Sequence, residues 1–164
     1  MLIRNLSELP ARLKKGQTVI GIDYGSRIIG VAISDPGLTV ASPVAALIRR
    51  SFAEDAAFLV NLVAERNAGA FIVGLPRGLD GKDSKMAQAA RAFIRTLFER
   101  GGLPDPDMPV AFWDERFSTA AVQRFMLEDD MSRQRRAATI DKAAAAYILQ
   151  GALDAMRRNN QGRP

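Results

Sequence analysis

Four acids in this chain stand where a carboxylate is costly to leave unused. Asp23 interrupts the apolar run TVIGIDYG (18 to 25), Asp114 and Glu115 close VAFWDE (110 to 115), and Asp141 precedes the small, apolar run AAAAYILQ. An acid inside an apolar strand is expensive to bury without a partner. Carboxylates that converge repel one another, and protonation or a divalent cation relieves the repulsion. Donors that are all oxygen favour Mg²⁺ or Mn²⁺ over zinc. A pair of such ions, ~3.5 to 4 Å apart, activates water and stabilises the leaving oxygen in phosphodiester hydrolysis. Each acid also has a plainer reading. Asp141 fits a helix-start acid interacting with the dipole, and Asp114 and Glu115 fit turn acids with Arg116 as a surface ion pair.

Composition narrows the chemistry further. The 164 residues contain no Cys and no His. Disulfides, thiolate or imidazole nucleophiles, Ser-His-Asp triads and Cys/His zinc sites are therefore excluded together. With 23 Lys plus Arg against 18 Asp plus Glu, the net charge of +5 favours an anionic partner such as nucleic acid. No apolar run approaches the ~20 residues of a membrane helix. The start, MLIRNLSELPARLKKG, has the wrong order for a secretory signal. A cytoplasmic protein is expected.

The elements that must carry these acids can be read in order. TVIGIDYG and RIIGVAISD (27 to 35) form a hairpin, with Gly21 and Gly25 leaving the backbone around Asp23 open to a ligand. TVASPVAALIR (39 to 49) adds a third strand, which Pro43 pushes towards an edge or bulge. A helix over 51 to 69 opens on a capping box, Ser51 and Glu54, and closes at Gly69. AFIVGLP (70 to 76) is a strand buried on both faces, and a helix follows over 84 to 102. MPVAFWDE is a third buried strand. Ser118 caps a helix to about Glu128, and a basic loop, MSRQRRAAT, leads to a last helix from Ile140 to about Arg158. The pattern predicts one α/β domain with a five-stranded mixed sheet flanked by helices, a core over 18 to 158, and peripheral termini at 1 to 15 and 159 to 164. Functional groups in such sheets gather beyond the carboxyl ends of the strands.

GIDYGSRIIGVAISD, IVGLPRGLDG, DERFST and IDKAAAAYILQGALD, in that order, closely resemble the four blocks of the YqgF/RuvX family. The resemblance spans about residues 18 to 155. It implies a ribonuclease H-like fold and a hydrolase, described in that family as a nuclease maturing the 5' end of the precursor of 16S ribosomal RNA or as a Holliday junction resolvase. It assigns Asp23, Glu115 and Asp141 as the metal-binding catalytic set, served by Mg²⁺ or Mn²⁺. Asp114 ranks as an accessory, because adjacent strand residues point to opposite faces. Ile28 stands where the family often has a base, which leaves the charge at that turn to Arg27.

Bases cluster near these blocks. Arg27, Arg77, Lys82 and Arg116, with Arg133, Arg135 and Arg136 before Asp141, are candidates to hold phosphates. Solvated loops are the alternative. Trp113 and Phe117 fit core packing better than base stacking. One rival function is an ATP-using enzyme of the actin and sugar-kinase type, which needs two such domains and a longer chain. Another is a nucleic-acid-binding factor without catalysis. The choice between precursor ribosomal RNA and branched DNA stays open, and with it the choice between monomer and homodimer, since a symmetric junction calls for a two-fold enzyme.

Overall fold

The computed structural model describes residues 2–76, 80, 82–114 and 133–162, with the backbone alone over 133–141. Six strands form one sheet in the order β1-β6-β5-β2-β3-β4. They are β1 (Leu2–Ile3), β2 (Thr18–Tyr24), β3 (Ile28–Ser34), β4 (Ala41–Ile48), β5 (Ala68–Leu75) and β6 (Val110–Asp114). β1, β6, β5 and β2 run parallel, whereas β3 is antiparallel to β2 and β4 to β3. Among the described residues four α-helices accompany them: α1 (Leu9–Arg12), α2 (Phe52–Glu65), α3 (Lys85–Arg100) and α4 (Arg133–Gln161).

The sheet has one strand more than the five expected. Leu2 pairs with Val110 and Ile3 with Ala111, so the first residues add an edge strand beside β6. Leu9, from the same segment, is fully buried. Two residues offer no alternation to recognise, and only their docking on β6 makes them a strand.

Alternation along the strands sorts the core into two layers. Ile20, Ile22, Phe71, Val73 and Val110 face α2 and α3, where Leu59, Phe93 and Leu97 complete the layer. Val19, Ala70, Ile72 and Ala111 face α4, which contributes Ala145, Ile148, Leu149 and Leu153. β4 is the edge opposite β1, and Pro43 sits at its irregularity opposite Ala32, as a residue without an N–H donor should.

Ser51 and Ser84 cap α2 and α3, accepting from the N–H groups of Glu54 and Ala87. The end of α2 differs from expectation. The chain turns at Asn67, φ 51°, one of the few residues tolerated in the left-handed region, and Gly69 already lies within β5. At Gly69 a Cβ would stand 2.3 Å from Gln17 Oε1, so the glycine serves strand packing. α4 also starts earlier than expected. Arg, Gln and Ala are strong helix formers, and the segment read as a basic loop is helical from Arg133. The helix expected between Ser118 and Glu128 lies outside the described residues.

Candidate active site

Asp23 occupies an interior strand, one residue before its end. Its partners in the sheet are Gly30 on β3 and Gly74 on β5, and Gly74 in turn pairs with Trp113 on β6. Residues in one row share a face. Asp23 is half-buried, and neither lateral neighbour carries a side chain that would fill the space beside it. Those flanking glycines were not anticipated from the sequence, because they matter only once the register is known.

The same face is covered by α4, whose direction follows from two contacts. A Cβ at Gly21 would stand 2.7 Å from Leu149 Cβ and 3.2 Å from the Ala145 carbonyl oxygen, so α4 lies directly on β2 there. Further along, Gln150 bonds Ala41 N–H and the Thr39 carbonyl, both 2.9 Å, and Ala41 pairs with Ser34, whose hydroxyl accepts from Val19 N–H. The helix thus descends towards the amino end of β2, and its earlier residues lie at the carboxyl end. Positions 141, 145 and 149 follow one helical stripe. From Ala145 back to Asp141 is one turn, roughly 6 Å of rise, and from Gly21 up to Asp23 is two strand residues, roughly 7 Å. Position 141 therefore lies further along the same stripe, towards the end of β2 that carries Asp23.

Three expectations change at this end of the sheet. Asp141 is not in a first turn, since eight helical residues precede it from Arg133. The dipole reading of that acid goes with it. Arg133, Arg135 and Arg136 belong to the opening turns of α4 rather than to a loop. Gly21 and Gly25 admit parts of the protein rather than a ligand: Gly21 admits α4, and a Cβ at Gly25 would stand 2.4 Å from the Ile28 carbonyl oxygen, which accepts the Gly25 N–H at 2.9 Å.

Asp114 ends β6, paired with Leu75 and therefore on the opposite face from Trp113 and Asp23. The neighbouring Phe112, also on that face, lies under the Arg91 guanidinium at 4.5 Å, and Arg91 Nε donates to Asp83 Oδ2 at 2.8 Å. Trp113 packs against Gly151 of α4, with Nε1 3.4 Å from where a Cβ would stand, which settles it as a core residue. Arg27 is exposed in the β2–β3 turn, and Lys82 is exposed on the connection that follows β5. Both connections lie at the carboxyl end. Glu115, Arg116, Phe117 and Arg77 lie outside the described residues, as does the side chain of Asp141. Among the described residues no three acids stand together as a metal centre.

Nothing local in the sequence singles out Arg49. Its Nη1 donates to the carbonyls of Gly25 (3.1 Å) and Ser26 (3.3 Å), and its guanidinium lies 4.5 Å over the Tyr24 ring. Its Nε stands 3.7 Å from Asp55 Oδ2 in the first turn of α2. Burial pushes the Asp55 carboxyl above its ordinary range, and the Arg49 charge opposes that shift. Its place follows from the register: Ile28 opposes Ile48, so 49 falls opposite 27.

The sequence pattern of the RuvX family, described as Holliday junction resolvase, matches residues 17–155. The chain belongs to the RuvX family. Relatives named "Putative pre-16S rRNA nuclease" include one from Rhodospirillum centenum, 48% identical over 98% of this chain and 85% of its own length. Another, from Roseobacter denitrificans, is 46% identical over 96% of this chain and 94% of its own. Solved structures with a similar course are RuvC of Thermus thermophilus in complex with a Holliday junction substrate and the yeast mitochondrial Holliday junction resolvase Ydc2. The first has a TM-score of 0.52 at 15% identity, covering 90% of this chain and 99% of that one. The second has 0.55 at 12%, covering 96% and 87%. At such identities the likeness carries the fold: a RuvX chain with a ribonuclease H-like sheet.

Proposed function

We propose that this protein is a nuclease that hydrolyses phosphodiester bonds with Mg²⁺ or Mn²⁺, acting in the cytoplasm on the 5' end of precursor 16S ribosomal RNA. What supports the reading is that α4 lies on the face of β2 that carries Asp23, with position 141 one turn beyond Ala145 towards the carboxyl end of the sheet. Glu115 is the proposed third ligand, because the alternation that sets Asp114 against Asp23 favours the next acid in the sequence. The donor set fits such an ion. The chain has only oxygen donors to offer in place of His or Cys.

The bound ion would supply activated water and neutralise charge at the leaving oxygen. The chain's own groups hold the substrate. Arg27 and Lys82, joined by Arg77, Arg116, Arg133, Arg135 and Arg136, bind the phosphates on either side of the scissile bond without reading base sequence. The names of the relatives support ribosomal RNA as the substrate. The description of the family and the fold shared with resolvases favour branched DNA as the second reading. No helix among the described residues is long and apolar enough to cross a membrane.

The test compares wild type with Asp23→Asn on precursor-derived single-stranded RNA and on a four-way DNA junction, with Mg²⁺ or Mn²⁺. We expect cleavage of RNA by the wild type and a loss of at least about 100-fold in the variant, with RNA binding retained. Equal cleavage by both proteins would remove the site. Binding by both without cleavage would leave a ribosome-assembly or transcription factor. Preferred cleavage of the junction by a stable dimer would favour the resolvase.

A further inference from the structure

We infer that Arg49 is a positioning residue, which fixes the tip of the β2–β3 hairpin and thereby the placement of Asp23 and Arg27; this rests on the nuclease reading above. Asp23 is followed by four residues that make the tip, and Arg49 touches each of them. It stacks on the ring of Tyr24 at 4.5 Å. Its Nη1 donates to the carbonyls of Gly25 and Ser26. Its own N–H donates to the carbonyl of Arg27 at 2.9 Å, one residue beyond the last rung of the β3–β4 ladder.

Such a set of contacts requires a guanidinium. Its planar fork can lie over a ring and still direct N–H groups outward in the plane, whereas an ammonium is a single point of charge on a flexible stem. The remaining edge of the group faces Asp55, which lies 4% exposed in the first turn of α2. Removed from water, that carboxylate has its countercharge in Arg49 and keeps the guanidinium from swinging out to solvent. Tyr24 is held from the other side by Phe93 of α3, ring centroids 5.1 Å apart. The residue after Asp23 is thus clamped between β4 and α3.

The tip differs from the body of the hairpin in what holds it. Residues 20 to 23 are paired on both sides, by β5 and β3, and most are buried. Ser26 and Arg27 are exposed and add nothing to the core. Loosening them affects the direction of Arg27 and the last residues of β2 more than the stability of the whole.

The experiment uses the full chain as wild type, Arg49→Gln, Arg49→Lys and the double variant Arg49→Gln/Asp55→Asn. The double variant leaves no unpaired buried charge and keeps the test decisive where the single variant fails to fold. Two quantities are measured: kcat and KM for RNA cleavage with Mn²⁺, and amide hydrogen exchange across residues 18 to 28. Arg49→Gln should lower kcat by about 10- to 100-fold, as loss of a supporting partner does, with a smaller rise in KM from the displaced Arg27. Exchange should speed at 25 to 28 and stay unchanged at 18 to 22, and Arg49→Lys should recover part of kcat. Unchanged exchange at the tip, or a fall in kcat that only tracks global unfolding, would overturn the inference. A wild type that cuts nothing would sink the nuclease reading, and the exchange measurement would still decide whether Arg49 fixes the tip.

Discussion

The two turns of the β2–β3–β4 meander are held in opposite ways. The turn between β3 and β4, at the amino end of β2, is secured by its own first residue. Asp35 Oδ1 accepts the N–H groups of Thr39 (2.7 Å) and Val40 (2.8 Å), and Gln150 of α4 clasps Thr39 and Ala41 from above. The turn between β2 and β3, beside Asp23, has no such internal acid and relies on Arg49 from the far end of β4. A local, duplicated anchor suits a place whose task is to stay folded. A side-chain anchor borrowed from elsewhere, beside the one backbone bond from Gly25 N–H to the Ile28 carbonyl, ties the candidate site's end of the sheet to the packing of β4 and α2. Damage at the first turn should show in stability and damage at the second in catalysis.

Gly21 offers the strongest way to break that division, because α4 bears on both ends from this point. Gly21→Val places its Cβ against Leu149 Cβ, and forcing the helix outward should cost about 1 to 3 kcal/mol in denaturant unfolding. Cleavage should fall together with stability, since position 141 moves with the helix. Gln150→Ala should sharpen the contrast. The loss of its two bonds to the β3–β4 turn should cost about 1 to 2 kcal/mol, with kcat at the wild-type value. A drop in kcat there would mean that the two turns are coupled after all.

The smallest effect is expected at Asp35 and depends on pH. The N–H of Val40, followed by that of Thr39, holds its carboxyl below the ordinary 3.8. A depressed acid contributes stability that is present above the unfolded value and is lost as pH falls through the folded one. Thermal melting between pH 7 and pH 2 should therefore show a shallower acid decline for Asp35→Asn, starting from a slightly lower plateau. A parallel curve would remove Asp35 from the account.

What could be read ahead of the structure depended on whether the signal was local. Ser51 with Glu54 announced its helix, Pro43 announced an edge or bulge, and unbroken apolar runs announced β5 and β6, because capping, a missing N–H donor and burial leave marks within a few residues. Leu2 and Ile3 carried no such mark. Arg133 to Arg136 were read through their charge, although their helix propensity was the better guide. At the site, Asp23 was visible as an acid out of place. The glycines beside it, the reason for Gly21, and Arg49 were not, since each acquires meaning from a partner in another strand or helix. The opposite face of Asp114 followed from counting residues and needed only the register to fix which face that is.

The stripe 141, 145, 149 has one more consequence. A helix and a strand that advance nearly equal distances, four residues against two, stay in step only while neither gains nor loses a residue. One insertion between Asp141 and Ala145 would leave α4 intact and helical, yet rotate everything before it by about 100°. Asp141 would then sit a quarter-turn away from Asp23. On the proposed site, the length of the short segment 142–144 in this chain matters as much as the acid that precedes it.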